Sequence, residues 1–254
     1  SLGDETELAL GAIDTVLTSE GASAAPTFRK PAGWDYEQVT TAAASQRLAF
    51  WDSFDGYNTT LGSTFPSRYA SIGTAPAFGQ VGIGGRTRLL TAPVTAVGIA
   101  SGMRVSSNFM PRAAEDWEFK GLISQNTAPV GGTVDYYIGL RNNIGTTGLQ
   151  DGIYFRRTNA GNWFLVCRNA GVETTVDMGV VPSTTVVLLE FRISSAGTSV
   201  QGYVNGVSTG AAITTNIPTV TLDLGVVVDN RAATVTTGGR VEVLGWGWIG
   251  DVIP

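Results

Sequence analysis

From Phe50 to the C-terminus the hydrophobic residues recur at every second position, and that rhythm excludes most ways of folding this chain. Val134, Tyr136, Ile138 and Leu140 alternate with Asp135, Tyr137 and Arg141. Trp117, Phe119 and Ile123 alternate with Glu118, Lys120 and Ser124, and Val187, Leu189, Phe191 and Ile193 stand against Glu190 and Arg192. Trp163, Leu165 and Cys167 share a face, Val220, Leu222, Leu224, Val226 and Val228 make a long stripe, and Val241 to Ile249 supplies a last strand. Side chains of a strand point alternately to its two faces, so this pattern gives each strand one covered and one wet face, as in antiparallel sheets. Turn residues interrupt it about every 8–12 positions, the spacing of a sandwich or barrel. Asn205-Gly206 suits a two-residue hairpin turn, because both positions tolerate positive φ. Pro182 and Pro218 stand at strand entrances, where a missing N–H does least harm. The expectation is an all-β chain, an antiparallel β-sandwich filling residues 50–254.

Residues 1–49 read differently. Asp4, Glu5, Glu7, Asp14 and Glu20 concentrate local acidity, and the Gly/Ala/Ser/Pro-rich run at 21–33 has the composition of an extended linker. Residues 35–48 carry the one helix-like stretch, with Ala44, Gln46, Arg47 and Leu48 as good formers and Thr40 and Thr41 as poor ones. The domain reading is therefore an extended N-terminal segment, 1–49, with a short helix near its end, followed by one sandwich domain.

Composition removes several functions. Fourteen Arg and two Lys against 21 acidic residues leave a net charge of -5, which argues against nucleic acid as a partner. No apolar run approaches the ~18 residues of a membrane span, so membrane insertion is not expected. The absence of histidine removes the commonest general base and metal ligand. Cys167, the only cysteine, allows no intrachain disulfide and reads as a small core residue; as a nucleophile it would lack a histidine base. The acidic string Glu115, Asp116, Glu118 puts Asp116 and Glu118 on one face of a strand and Glu115 on the other, so the single-strand carboxylate motif of sandwich glucanases is not matched. Gly245, Gly247 and Gly250 lie in a strand pattern with no following helix to hold a phosphate, and leave room for Trp246 and Trp248. Asp135, Asp151, Asp177, Asp223 and Asp229 are scattered without the spacing of a calcium loop. No catalytic residue, metal or cofactor is expected, and the chain reads as a non-enzyme.

A sugar-binding surface needs aromatic faces beside planar polar groups. Tyr137, Arg141, Tyr154, Arg156 and Trp163 are the candidates, with Trp246 and Trp248 beside them. Core packing is the competing reading for aromatics at alternating strand positions. Arg156 and Arg157, being adjacent, point to opposite faces, and one of them is expected to pair with a carboxylate in the sheet or across a subunit boundary.

Two stretches carry a resemblance. Residues 9–28, ALGAIDTVLTSEGASAAPTF, resemble a segment near the N-termini of tailed-phage fibre and appendage proteins, through Gly11, Val16, Leu17, Thr18, Ser19, Gly21, Ala25, Pro26 and Phe28. Residues 50–254, with YYIGLRNN, DGIYFRR, VLLEFRIS, GYVNGVSTG and LGWGWIGDV in that order, are similar to the concanavalin A-like jelly-roll domains of phage structural proteins. The resemblance implies a virion protein, a tail fibre, head fibre or capsid decoration. It would be homotrimeric, held to other virion proteins by residues 1–49, and assembled in the host cytoplasm. Some relatives use the lectin-like sandwich on host-surface glycans. The alternatives are a stand-alone carbohydrate-binding module and, further off, a sandwich-fold glycoside hydrolase.

Overall fold

The computed structural model describes residues 16–18, 27–29, 46–52, 69–73, 77–80, 87–90, 100–105, 117–127, 133–142, 150–159, 161–180, 185–194, 196–220, 222–232 and 240–252. The chain forms two compact units, Ser1–Thr40 and Thr41–Pro254. In the first, β1 (Val16–Thr18) and β2 (Thr27–Arg29) pair antiparallel with Leu17 opposite Phe28. Val16, Leu17, Thr18 and Phe28 of the N-terminal motif thus lie on a hairpin. Gly11, Ser19, Gly21, Ala25 and Pro26 fall outside the described residues.

The second unit contains β3 (Gln46–Asp52), β4 (Tyr69–Gly73), β5 (Ala77–Gln80), β6 (Thr87–Leu90), β7 (Ala100–Val105), β8 (Trp117–Thr127), β9 (Thr133–Arg141), β10 (Gly152–Thr158), β11 (Phe164–Asn169), β12 (Val172–Asp177), β13 (Val187–Ile193), β14 (Val200–Val204), β15 (Val207–Ile213), β16 (Asp223–Ala232) and β17 (Arg240–Val252). No helix occurs among the described residues. The helix expected over 35–48 is corrected at its end: Gln46, Arg47 and Leu48 open β3, paired to Val252, Asp251 and Gly250 of β17. A ladder partner outweighs weak helix propensity there; residues 35–45 lie outside the described set.

The strands form two antiparallel sheets, ordered β12-β11-β10-β9-β16-β7-β4 and β15-β14-β13-β8-β17-β6-β5, with β3 also on β17. Between them lies one apolar core. Phe155 of the seven-stranded sheet meets Phe119 and Phe191 of the eight-stranded one, with ring centroids 6.3 and 5.8 Å apart, while Phe119 stacks on Phe191 at 5.0 Å. Trp117 and Trp248 close the core edge-to-face at 4.8 Å. Cys167 is fully buried in this core. At one side the terminal strands of the two sheets are laced together, Thr174 Oγ1 to Thr215 Oγ1 at 2.7 Å and Asn216 Nδ2 donating to Thr174 at 2.9 Å.

The expected hairpin turn is present: Asn205 and Gly206 both have positive φ, 50° and 79°, between β14 and β15. Pro218 leads toward β16, and Pro182 falls outside the described residues. The hydrophobic stripe starts later than the sequence suggests, since Val220 is exposed and β16 begins at Asp223.

One strand breaks the period-two rule. In β17 the core-facing residues are Val241 and Val243, then Trp246 and Trp248, odd positions giving way to even ones. Val243 pairs with Ile123 and Gly245 with the adjacent Leu122, so Leu244 has no partner on β8 and forms a β-bulge. The inserted residue resets parity and keeps both pairs inside. Trp246 faces Gly121 across the ladder, and a Cβ at Gly121 would crowd Ile138 Cδ1 at 3.0 Å and the Phe119 ring at 3.1 Å.

Candidate functional site

Because the even residues of β9 fill the inter-sheet core, Asp135, Tyr137, Gly139 and Arg141 face outward from the seven-stranded sheet. Register places Tyr154 and Arg156 of β10, Phe164, Val166 and Arg168 of β11, Glu173 of β12, and Val227 and Asp229 of β16 on the same face. Tyr137, Tyr154, Val166, Val227, Ala100 and Ile72 form a second apolar cluster there, with half-buried Phe164 packed against it.

The centre of this face is an arginine on aromatic rings. Tyr137 and Tyr154 meet edge-to-face at 5.6 Å, and the Arg141 guanidinium lies 4.1 Å from the Tyr137 ring centroid and 5.5 Å from that of Tyr154. Tyr137 and Arg141 are separated by roughly 13 Å along the strand, so the arginine side chain folds back over Gly139. Burial pulls the Arg141 pKa below its ordinary value, against the opposing influence of Tyr137, Tyr154, Asp229 and Asp135. Burial likewise raises the Tyr154 phenol to about 12. Asp135 and Asp229 are buried directly opposite one another, and Asp135 accepts hydrogen bonds from the Tyr137 hydroxyl at 2.9 Å and from Thr158 Oγ1.

Gly139 has φ of 135°, and a Cβ there would sit 2.9 Å from Ile153 O and Tyr154 Cα. Gly139→Ala should therefore lose about 1–3 kcal/mol to backbone strain, read as a lower urea midpoint. An unchanged midpoint would show that the strand does not need glycine under Arg141.

The open part of the face lies toward β12. Arg156 grips Glu173 with two parallel hydrogen bonds, Nη1 to Oε2 and Nη2 to Oε1, both 2.8 Å. The bond from Arg156 holds the Glu173 carboxyl below its usual pKa, against some desolvation. Phe164 is the register partner of both Arg156 and Asp177. Exposed Asp177 accepts from Asn162 and from the Gly179 N–H, and the Asn162 bond lowers its pKa. Asp151 accepts the Ala170 and Gly171 N–H groups at 2.9 and 3.2 Å.

Tyr137, Arg141, Tyr154 and Arg156 are thus gathered on one face. Trp163 is not with them: it lies in the inter-sheet core, 5.8 Å from the inward-facing Arg157 guanidinium. Arg157 also lies 4.5 Å from the Tyr136 ring and donates to Asn159 O at 2.7 Å. Desolvation lowers its pKa to about 10, with Tyr136 opposing. Of the two adjacent arginines, Arg156 takes the carboxylate partner. Trp246 and Trp248 are core residues. Glu118 lies on the outer face of the other sheet, bound to Arg192 at 2.9 Å and 3.4 Å from Lys120; Glu115 and Asp116 fall outside the described residues. No group of three or more acidic or cysteine ligands for a metal occurs among the described residues.

The gathered residues differ in access. Tyr137, Arg141 and Tyr154 are at most 1% exposed and form a covered floor, whereas the Arg156 and Glu173 side chains are 17% and 28% exposed. Phe164, Arg168, Asp151 and Glu173 were not among the sequence candidates. Only the hairpin registers β10–β11 and β11–β12 bring Glu173 beside Arg156, and no local spacing announces that.

Two apposed antiparallel sheets of this order make the domain a concanavalin A-like jelly-roll sandwich. It is similar to a protein of unknown function from Shewanella oneidensis MR-1 (TM-score 0.56, 14% identity, 85% of this chain and 90% of that one). It is also similar to the Bacillus licheniformis beta-glucanase (TM-score 0.52, 14% identity, 81% and 98%). A third likeness is the winged bean acidic lectin complexed with methyl-α-D-galactose (TM-score 0.52, 9% identity, 82% and 100%). No family model and no curated protein matches the sequence. At such identities the likeness is one of fold.

Proposed function

We propose that this protein is a glycan-binding sandwich that recognises sugar on the outer face of its seven-stranded sheet, at the β10–β12 end. The observation that carries the reading is half-exposed Phe164 beside the accessible Arg156–Glu173 pair, set over the covered floor of Tyr137, Arg141 and Tyr154. An apolar ring flanked by fixed planar donors and acceptors suits a pyranose, which has an apolar C–H face and a polar hydroxyl rim. The covered floor fixes the strand geometry beneath, so the accessible groups are held before a ligand arrives. A lectin holding a galactoside and a glucanase among the similar folds support this reading.

A finer proposal rests on the N-terminal motif. Its resemblance to tailed-phage appendage proteins supports a homotrimeric virion fibre or decoration protein, with the sandwich projecting toward host-surface glycan and residues 1–49 attached to other virion proteins.

The test is a broad glycan array probed with the full chain. Binding is expected, and Phe164→Ala, checked for native circular dichroism, should weaken it at least ~10-fold by removing the apolar platform. A wild-type chain retained by no glycan on the array overturns the reading.

A further inference from the structure

Arg168 occupies an unusual position at the open end of the face. Its Nε is 3.7 Å from Asp151 Oδ1 and its Nη1 3.6 Å from Glu173 Oε2. Both distances are ion-pair distances beyond hydrogen-bond reach, and the buried Nε has no hydrogen-bond partner. A guanidinium carries five donors, and a short move of either carboxylate would satisfy some of them. Neither carboxylate is free to move. Asp151 is tied to the Ala170 and Gly171 N–H groups, in a turn where both residues have positive φ, and Glu173 is clamped by the two bonds from Arg156. Arg168 is therefore held between two anchored anions with its Nε unpartnered, and its side chain is 16% exposed.

Building on the glycan reading above, we propose that Arg168, Asp151 and Glu173 form the sugar-hydroxyl subsite of that face and select neutral saccharides presenting adjacent hydroxyls over acidic ones. A hydroxyl both donates and accepts. Two neighbouring hydroxyls would accept from the Arg168 fork and each donate to a remaining lone pair of Asp151 or Glu173. An acidic sugar suits the arginine but not the frame, because its carboxylate would lie against two fixed carboxylates. Arg156 and Arg168 on one side and Asp151 and Glu173 on the other leave the subsite without net charge, so no surplus of positive charge draws an anionic sugar in. Phe164, two positions before Val166 and four before Arg168 on the same strand face, lies beyond the hydroxyl subsite, where the apolar ring face would rest.

The experiment uses the full chain on an array carrying neutral mannosyl, galactosyl and glucosyl oligosaccharides beside uronate-containing and sialylated ones. Titration calorimetry follows on the best neutral glycan. Retention of neutral glycans is expected, and Arg168→Lys should weaken them at least ~10-fold, since lysine keeps the charge between the carboxylates but not the planar fork. Arg168→Lys preserves the local charge balance, and an unchanged melting temperature shows that the loss belongs to the ligand. Preference for uronates or sialosides overturns the selection of neutral sugars while leaving glycan binding in place. Neutral binding that Phe164→Ala weakens but Arg168→Lys leaves unchanged moves the hydroxyl subsite elsewhere on the same face. No retention of any glycan removes both readings together.

Discussion

Deleting Leu244 is expected to leave the chain without a stable sandwich, although the residue itself is only partly buried. Its role is to be the extra residue of the bulge. Without it, β17 runs in strict alternation and cannot send Val241, Val243, Trp246 and Trp248 to the same side. Keeping the tryptophans inside turns the two valines outward, at about 1.5–3 kcal/mol each. Keeping the valines inside ejects two tryptophans, each at about 3–5 kcal/mol. The first loss, about 3–6 kcal/mol, reaches the low end of the whole stability of an ordinary domain, roughly 5–15 kcal/mol, and the second, about 6–10 kcal/mol, lies well inside it. β17 also pairs with β8, β3 and β6, so a slip in it propagates through the centre of the eight-stranded sheet. Leu244→Ala keeps the bulge and should cost far less. The pair is read by circular dichroism and tryptophan emission: the deletion should show red-shifted, solvent-exposed emission and Leu244→Ala a native spectrum. A deletion variant with native emission and melting temperature would mean that the strand parity is held by something other than the bulge.

That bulge also marks where sequence reading stops. The two-residue rhythm of β9, β13 and β16 picks out the core-facing positions correctly, but the wet opposite face it implies is corrected: Asp135, Tyr137, Arg141, Val227 and Asp229 on the outer face are at most 1% exposed, because a second apolar cluster forms there. In β17 the same rule applied across residues 241–249 yields a contradiction, valines on odd positions and tryptophans on even ones. Only an inserted residue reconciles them. At 46–48 the rule of helix propensity fails for a different reason: what decides those residues is β17, some 200 positions away. The candidate site follows the same division. Alternation alone puts Tyr137 with Arg141 and separates Arg156 from Arg157, and both placements hold. Trp163 cannot be assigned this way, since a periodic aromatic reads alike whether its face meets the other sheet or the outside. The Arg156–Glu173 clamp and the Arg168 position depend on the offsets between three strands, which turn geometry sets and composition does not record.

Alkaline pH should unfold the protein through a residue with no part in binding. Cys167 is enclosed in the inter-sheet core, and burial pushes its thiol up to about 12 from an ordinary 9.0. The unfolded chain releases that proton from pH 9 upward while the folded chain retains it, so the folded state binds more protons and stability falls as pH rises. Its contribution is fully present below pH 9 and is lost toward pH 12, about 1.4 kcal/mol per pH unit and roughly 4 kcal/mol in all. Tyr154, raised to about 12 from 10.0, adds a loss of the same sign above pH 10. Arg157 acts oppositely: burial lowers it to about 10, so the folded chain sheds a proton that the unfolded chain keeps, which offsets Tyr154 over the same interval. The interval from pH 9 to 10 is therefore where the Cys167 loss stands out, with Arg141, also lowered by burial, acting in the same direction as Arg157. Urea midpoints taken in reducing buffer should fall steadily across it for the wild type and stay level for Cys167→Ala, whatever that variant's lower starting stability. Parallel declines in the two proteins would place the alkaline sensitivity in another group and show that the thiol ionises as readily inside the core as in water.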